Sequence, residues 1–263
     1  MQISAMKLFL LLLLSAMYLL TSKGADVGIY HGKEAKQNSR PYMAYLSISD
    51  GTSISLCGGT LIKPNWVLTA AHCKEPDEKL LVVLGAHSHD LYAHEDGRQI
   101  ISVEQYIRHP KYKSTKFYND LLLLKLSHAA RTDPKVKTLP VSKTYKDVKA
   151  GRVCETAGWG LTEKEEYAKY LMEVKVTTIN REECNKRLEK ENLTVNGNMI
   201  CTGVGPEKQD SCSGDSGGPL ICDGVLRGVL SFGNEHCGMH NGAAVYTRLT
   251  KEYLEWIDKE TAK

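Results

Sequence analysis

The chain has 263 residues, with 34 lysines and arginines against 31 aspartates and glutamates, and a formal net charge of +3 at pH 7. This near balance argues against a dedicated nucleic-acid-binding or membrane-surface protein, because such proteins carry a large excess of basic residues. The length suits one large β domain or two small ones.

The first predicted element is an export signal. Residues 8–20 are apolar except for Ser15, and Lys7 precedes them. This run is too short to cross a bilayer and stands where the hydrophobic region of a signal peptide belongs. A membrane anchor is the alternative, and the length disfavours it. We expect cleavage after Gly24, which gives a signal peptide at residues 1–24 and an exported protein without a membrane span.

The remainder of the chain has a β pattern. Short runs that alternate apolar and polar residues, or that are wholly apolar, recur between turn residues, as is typical of an all-β barrel or sandwich. They include residues 42–48, 80–84, 99–103, 171–176 and 225–230. Near the end, Tyr253, Trp256 and Ile257 share one helix face. Thr250 is the predicted N-cap of that helix.

Three motifs carry the residues of acyl-transfer chemistry. His72 lies in the segment TAAHC, and Asp120 directly precedes an apolar run of four leucines. Ser216 lies in the glycine-rich segment DSCSGDSGGPL at residues 210–220. A serine becomes a nucleophile only with a base for its proton and N–H donors for the oxyanion. A lone serine among glycines would indicate an ordinary loop, but the order His, Asp, Ser is that of the trypsin and chymotrypsin enzymes.

On these motifs the chain resembles the chymotrypsin-like serine proteases from about Ile29 to its C-terminus. The segments SRPYMA at residues 39–44 and LSFG at residues 230–233 are most similar to granzymes and mast-cell proteases, particularly the granzyme A and K group. The resemblance implies an all-β protease domain at residues 29–263. Its parts are two six-stranded antiparallel β-barrels, at about 29–134 and 147–249, with the active site between them, and a C-terminal α-helix.

The resemblance also implies a role for each catalytic residue. Ser216 is the nucleophile, and His72 is the base that takes its proton and returns it to the leaving amine. Asp120 orients His72 and stabilises its charged form. The N–H groups of Gly214 and Ser216 form the oxyanion hole.

Six positions correspond to the family's substrate-binding residues: Asp210, Ser211, Ser231, Phe232, Gly233 and Ala244. Asp210 corresponds to the base of the primary specificity pocket, which predicts cleavage after Arg or Lys, with Arg preferred because it can form two parallel hydrogen bonds. Ala244 stands where the family usually has glycine. Its methyl group predicts a narrower pocket, lower activity and a changed Arg/Lys preference.

Activation is expected to follow the family as well. Removal of residues 25–28, two residues at a time as in granzyme processing, would free the amine of Ile29 to pair with the Asp215 carboxylate. The new terminus Ile29-Tyr30-His31-Gly32 departs from the usual Ile-Ile/Val-Gly-Gly. His31 adds a side chain where glycine is usual.

The chain has eight cysteines, for which about 105 pairings exist, and the sequence alone does not choose among them. The resemblance implies four disulfides: Cys57–Cys73, Cys154–Cys222, Cys184–Cys201 and Cys212–Cys237. Each should contribute roughly 2–4 kcal/mol in an oxidising compartment. A zinc site is disfavoured because no C-x-x-C pair exists. With no cysteine left for an intermolecular bridge, we expect a monomer.

Other polar clusters have competing interpretations. His87, His89 and His94 stand near Asp90, Glu95 and Asp96. This cluster fits a solvated loop better than a metal site.

The family's calcium loop has a glutamate after its glycine, but Ala86 follows Gly85 here. A methyl group cannot ligate calcium, so we expect no metal and no cofactor. The sequon Asn192-Leu193-Thr194 predicts N-glycosylation.

Two lysine clusters complete the survey: Lys111, Lys113 and Lys116, and Lys143, Lys146 and Lys149. Solvated loops are the favoured interpretation of both, and a polyanion-binding patch is the alternative.

These observations predict a secreted or granule-stored serine endopeptidase with a granzyme-like immune role. Its expected partners are protein substrates and serpin-type inhibitors, and not nucleic acid; granule polyanions are partners under the alternative interpretation of the lysine clusters. One alternative is a protease-fold binding protein without catalysis, but such a protein typically lacks a member of the catalytic set. Another is a digestive trypsin, whose activation peptide would end in Lys or Arg where Gly28 stands here.

Overall fold

The structure is a computed structural model that describes residues 29–141 and 144–262. The predicted signal peptide at 1–24 and activation peptide at 25–28 lie outside the described residues. The strands of the first half are β1 (Lys33–Glu34), β2 (Met43–Ser49), β3 (Ile54–Lys63), β4 (Trp66–Thr69), β5 (Lys79–Leu84), β6 (Gln99–Arg108) and β7 (Leu122–Leu126). Those of the second half are β8 (Val153–Gly158), β9 (Met172–Ile179), β10 (Met199–Gly203), β11 (Pro219–Cys222), β12 (Val225–Gly233) and β13 (Ala243–Arg248). The α-helices are α1 (Arg181–Arg187) and α2 (Lys251–Thr261).

The first barrel closes in the order β2-β3-β4-β7-β6-β5, and its neighbouring strands are antiparallel. Leu46, Leu61 and Leu68 are fully buried in its core. All four leucines at 121–124 are buried, on both faces of the strand. Such a strand is covered on both sides, which explains why its sequence is continuously apolar.

The second barrel has the order β9-β10-β13-β12-β11-β8 and closes through the pairing of β8 with β9, while β1 adds to the outside of β9. Strand β9 alternates regularly, with Val174 and Val176 buried and Lys175 exposed between them. This two-residue period is what a barrel wall with one face in the core requires. The two barrels and the C-terminal helix confirm the predicted fold class.

Helix α2 follows the second barrel but packs on the first. The Thr250 side chain accepts the Tyr253 N–H at 3.4 Å and caps the helix, as predicted. Tyr253 and Ile257 are buried in the same cluster as the first-barrel leucines, with Trp256 partly buried beside them. The chain end therefore helps to hold the two barrels together.

The four disulfides join Cys57–Cys73, Cys154–Cys222, Cys184–Cys201 and Cys212–Cys237. These are the pairs that the resemblance implied. Two of them lie at the site described below, since Cys73 follows His72 and Cys212 precedes Ser216.

Candidate active site

His72 and Asp120 meet because the strands that lead to them are paired. His72 lies in the 3₁₀ turn after β4, and Asp120 lies just before β7, whose Leu122 pairs with Thr69 of β4. His72 Nδ1 is 2.7 Å from Asp120 Oδ2, and the His72 backbone N–H donates to Asp120 Oδ1 at 3.0 Å. The hydroxyl of Ser231 donates to Oδ2 at 2.5 Å.

These contacts fix the chemistry of the imidazole. Asp120 is fully buried, and hydrogen bonds from His72 and Ser231 offset the cost of removing its charge from water. Since an ionised carboxylate only accepts hydrogen bonds, Nδ1 of His72 carries a proton and Nε2 keeps its lone pair in the neutral ring. The His72 side chain is 22% exposed, which leaves it accessible from the cleft.

Ser216 lies in the loop before β11, and this loop is fixed to both barrels. The N–H of Gly58, on β3, donates to the Ser216 carbonyl oxygen at 2.7 Å, and the Gly217 N–H donates to the Leu230 carbonyl oxygen at 2.8 Å. Gly217 has φ +79°, and a Cβ there would lie 2.1 Å from Thr69 Oγ1. Only glycine allows this approach, which joins the serine loop to the barrel that carries His72.

Two backbone N–H groups in the serine loop, those of Gly214 and Ser216, lack an acceptor among the described residues. Gly214 has φ +95°, so the chain turns sharply there. The Asp215 N–H donates to the Cys212 carbonyl oxygen, and the Gly217 N–H donates to the Leu230 carbonyl oxygen. The N–H groups of Gly214 and Ser216 donate to no acceptor within residues 29–141 and 144–262. A developing oxyanion could therefore accept both.

The Asp215 carboxylate is buried beneath this loop. Oδ1 accepts the Gly160 N–H at 2.8 Å, and Oδ2 accepts the Cys212 N–H at 2.9 Å. A Cβ on Gly160 would lie 2.6 Å from this carboxylate, so the glycine makes room for it. Burial raises the pKa of Asp215 to about 7. A cation beside it would reverse that effect.

A cavity of about 160 Å³ opens next to Ser216. Its lining includes five residues predicted to bind substrate or attack it: Ser211, Ser216, Phe232, Gly233 and Ala244. The other lining residues are Cys212, Ser213, Leu230, Asn234 and Cys237. The predicted position of Ser231 differs, because its hydroxyl turns to Asp120 instead of lining the cavity.

Asp210 lies behind the cavity wall, and it is not among the described residues that line the cavity. Its Oδ1 accepts the N–H of Ser211 at 2.9 Å, and its Oδ2 accepts the N–H of Gly238 at 3.0 Å. The residue is only 6% exposed. Burial raises the pKa of Asp210 to about 6, so a cation entering the cavity would be a favourable partner.

Comparison with known proteins decides the family. The family model described as Trypsin matches residues 29–257. The chain belongs to the trypsin family of serine proteases. It is 41% identical to granzyme A of Bos taurus over 238 residues, which cover 89% of this chain and 88% of that protein. It is also 41% identical to granzyme B of Rattus norvegicus over 262 residues, covering 98% of this chain and 100% of that protein.

A solved structure gives the same result. Neuropsin, described as a serine protease expressed in the limbic system of mouse brain, superimposes with a TM-score of 0.77 at 34% identity, covering 89% of this chain and 100% of that one. The granzyme-like serine protease predicted from the motifs is therefore confirmed at the level of family and fold. No helix in the described part of this protease is long and apolar enough to cross a membrane.

One aromatic residue of the protease cleft was missed from the sequence. The ring of Phe117 lies edge-on to His72 at 5.7 Å between centroids and packs on Phe232 at 5.4 Å. Phe117 has φ +51°, which turns the chain toward the cleft. The only sequence signal is its position three residues before Asp120. Its ring thus contacts both the histidine and Phe232, which lines the cavity next to Ser216.

The histidine-rich segment after β5 is solvated only in part. Asp90, His94 and Asp96 are exposed, in line with the solvated interpretation, whereas His87, His89 and Glu95 have partners within the protein. His87 Nε2 lies 2.9 Å from Glu34 Oε1, and His89 Nδ1 lies 2.7 Å from the Ala168 carbonyl oxygen. The Glu95 carboxylate accepts the backbone N–H of His87 and is largely buried. These residues face different partners and cannot converge on one ion.

Cys57, His72 and Cys73 are the one group with metal-ligand side chains gathered closely in the described residues. Both sulfurs belong to the Cys57–Cys73 disulfide. A disulfide sulfur is not a thiolate, which is the form that binds metal. This group therefore stabilises the turn that carries His72.

Proposed function

We propose that this serine protease is an endopeptidase that cleaves protein substrates after Arg or Lys, with Ser216, His72 and Asp120 as its catalytic residues. The observation that carries the proposal is the buried Asp120 bonded to His72, together with a serine loop that is bonded to both barrels and keeps the N–H groups of Gly214 and Ser216 free among the described residues. All members of the catalytic set are present, which disfavours a binding protein without activity.

The reaction follows from this geometry. Ser216 Oγ attacks the peptide carbonyl carbon while His72 Nε2 takes the hydroxyl proton. The oxyanion accepts the N–H groups of Gly214 and Ser216, each worth about 3–4 kcal/mol of transition-state stabilisation. The tetrahedral intermediate collapses, the C–N bond breaks, and His72 gives the proton to the leaving amine. Water then repeats the sequence on the acyl-enzyme and frees Ser216.

Asp210 supports the proposed specificity. A buried carboxylate with two backbone N–H donors still has lone pairs to offer and gains from a cationic partner. A guanidinium can meet it with two hydrogen bonds, whereas the shorter ammonium of Lys needs a water between them. We expect Arg to be preferred over Lys for this reason.

The test compares kcat/KM on peptides that differ only at the residue before the cleaved bond. Each enzyme is titrated with a fluorophosphonate, which labels an activated serine. Asp210→Ser should lose at least a hundredfold in kcat/KM for Arg peptides, while Asp223→Ser, which changes an exposed aspartate, serves as the matched control. Preferred cleavage after Phe, Leu or Asp by the parent would contradict the specificity. Labelling that survives Ser216→Ala would contradict the nucleophile.

Activation is proposed to require removal of residues 25–28 and pairing of the Ile29 amine with Asp215. Ile29 is fully buried in the core of the second barrel, which supports an inserted terminus. N-terminal sequencing of active protein should read Ile-Tyr-His-Gly. Full activity in a chain that still carries residues 25–28 would contradict this step.

The cellular setting is also a proposal. Similarity to granzymes supports export, granule storage, an immune role and serpin-type inhibitors for a monomeric enzyme. Asn192 is exposed and accessible to glycosylation.

Lys146, Lys149, Arg152 and Arg227 line a groove of about 650 Å³, which supports polyanion binding. On a heparin column the parent should elute at a higher salt concentration than a Lys146→Ala/Lys149→Ala variant. Elution of the parent at the same or a lower salt concentration would contradict that role.

A further inference from the structure

Tyr30 lies against the outside of the specificity-cavity wall. An ideal Cβ on Gly238 would lie 2.1 Å from Tyr30 Cε1 and 2.2 Å from Cδ1, so the ring packs directly on the Gly238 backbone. The Tyr30 carbonyl oxygen also accepts the Asp210 N–H at 3.0 Å. One residue therefore contacts both backbone segments that hold the Asp210 carboxylate.

Gly238 is the link between this ring and the carboxylate. It has φ +65°, a conformation that favours glycine, and it donates its N–H to Asp210 Oδ2 at 3.0 Å. It follows Cys237, which lines the cavity and is bonded to Cys212. A shift of the Gly238 backbone would move a hydrogen-bond donor of Asp210 and the cavity wall together.

The ring itself is held in place by the turn at the proposed new N-terminus. Ile29 is fully buried, and its carbonyl oxygen accepts the Gly32 N–H at 2.6 Å. His31, with φ +53°, places its ring edge-on to that of Tyr30 at 5.2 Å between centroids. The two residues that depart from the family pattern thus form one aromatic pair, and the Tyr30 ring of that pair packs on Gly238.

We infer that Tyr30 is a positioning residue for the primary specificity of this enzyme. It holds Gly238 and Asp210 in the position where Asp210 pairs with the cationic side chain of the P1 residue, the substrate residue before the cleaved bond. The inference rests on the proposed function, because it assigns Tyr30 a part in the same pocket. Without the ring, the Gly238 segment can move and the carboxylate loses its fixed position. Binding of the substrate cation then weakens. The contacts among Ser216, His72 and Asp120 include neither Tyr30 nor Gly238, so the chemical step should change less.

The experiment uses protein processed to Ile29, with active concentration set by fluorophosphonate titration. Tyr30→Ala should raise the Kd for p-aminobenzamidine, an amidinium probe of the pocket, about tenfold. It should raise KM for an Arg peptide similarly and change kcat less than threefold. Tyr30→Phe should behave as the parent, because the ring and backbone make these contacts. Tyr92→Ala removes a fully exposed tyrosine elsewhere and is the control.

A double-mutant cycle separates this role from a general loss of stability. Gly238→Ala places a methyl group inside the Tyr30 ring and should weaken probe binding strongly. In the Tyr30→Ala background the methyl group of Gly238→Ala meets no ring. Gly238→Ala should therefore weaken probe binding clearly less there than in the parent, so the effects of the two substitutions on Kd should not add. If Tyr30→Ala yields too little active enzyme, Tyr30→Val carries the same comparison.

Two outcomes overturn the inference: a Kd for Tyr30→Ala within twofold of the parent, or additive effects in the cycle. Failure of the proposed function looks different, because the parent itself would then not bind the probe or cleave after Arg. In that case the cycle is measured on the peptide that the parent does cleave. Coupling between Tyr30 and Gly238 there supports the positioning role, and its absence ends it.

Discussion

At the scale of single residues, Ala244 is the clearest departure from the family in the specificity cavity. It lies on β13, pairs with Gly233 on β12 and contributes to the cavity lining. Its methyl group takes up space in a cavity of about 160 Å³, roughly five waters in liquid volume. We therefore expect the residue to limit how a substrate side chain, with any bridging water, reaches toward Asp210.

Ala244→Gly should raise kcat/KM for Arg and Lys peptides, because it restores room beside the Asp210 wall. We expect about a tenfold gain for Lys, whose ammonium needs a bridging water, and a smaller gain for Arg. The measurement is kcat/KM on paired Arg and Lys peptides, with Ala243→Gly on the same strand as the control. An unchanged Arg/Lys ratio would show that the methyl group does not limit the pocket.

The site residues differ in how well a sequence can reveal them. His72, Asp120 and Ser216 stand in motifs because their chemistry allows few substitutes. The rings of Phe117 and Tyr30 pack on segments distant in the chain, and an aromatic ring at such a position has no distinguishing pattern. The pocket residues became visible only through the resemblance. It put Asp210 at the base of the pocket, whereas the residue lies behind the described cavity lining, bonded to the N–H groups of Ser211 and Gly238.

At the scale of elements, the segment between β5 and β6 is held by an internal cation. The Arg98 side chain is only 6% exposed, and its Nη1 donates to the carbonyl oxygens of Asp90 and Ala93, and to Glu95 Oε2 at 3.4 Å. Glu95 in turn accepts the backbone N–H of His87. The ion pair thus joins both ends of this loop.

Arg98→Met should lower the free energy of unfolding by about 2–4 kcal/mol, because it leaves Glu95 buried without its cation. For a chain of this size that is a fall in Tm of roughly 5–12 °C. The double variant Arg98→Met/Glu95→Gln should lose less unfolding free energy than Arg98→Met alone.

Calcium at millimolar concentration should leave the parent Tm unchanged, since the guanidinium of Arg98 already supplies the positive charge beside Glu95. A calcium-dependent rise in the parent Tm would contradict this account.

The elements also show where sequence patterns stop. Alternation revealed the barrel strands, but β6 continues to Arg108, beyond the predicted end at 103, because its outer face is polar. Helix α1 was not predicted, since Cys184 is its one buried residue and seven residues give no apolar period. The second barrel also needs β11 to pair with β8, where Ile221 lies opposite Glu155, and no local pattern reports a pairing between segments so far apart in the chain.

At the scale of the whole molecule, the two barrels are joined by polar contacts as well as by the α2 helix. Arg40, which precedes β2, donates to Glu155 on β8 at 2.7 Å and to Glu173 on β9 at 3.0 Å. The Gly58–Ser216 hydrogen bond makes a second connection between the barrels. The catalytic geometry therefore depends on both barrels being folded and docked.

One buried charge links this assembly to pH. The carboxyl of Asp215 has an ordinary pKa of 3.8, and burial raises it to about 7 in the folded chain, with Asp210 nearby raised to about 6. The folded state therefore binds these protons more tightly than the unfolded state. Their stabilising contribution is complete below pH 4 and is lost as the pH rises through 6 and then 7. For Asp215 alone it amounts to about 4 kcal/mol, at about 1.4 kcal/mol for each pKa unit.

Asp215→Asn should consequently stabilise the chain that still carries residues 25–28 at pH 8 and have little effect at pH 4. The amide has no charge to bury, so the pH-dependent loss at this site disappears. The measurement is urea unfolding from pH 4 to 8 in a Ser216→Ala background, which prevents self-cleavage, with exposed Asp223→Asn as the control. In protein processed to Ile29 the effect should reverse at neutral pH, because the substitution then removes the partner of a buried amine. An equal effect of Asp215→Asn at pH 4 and 8 in the unprocessed chain would contradict the argument, and no reversal after processing would contradict the proposed ion pair.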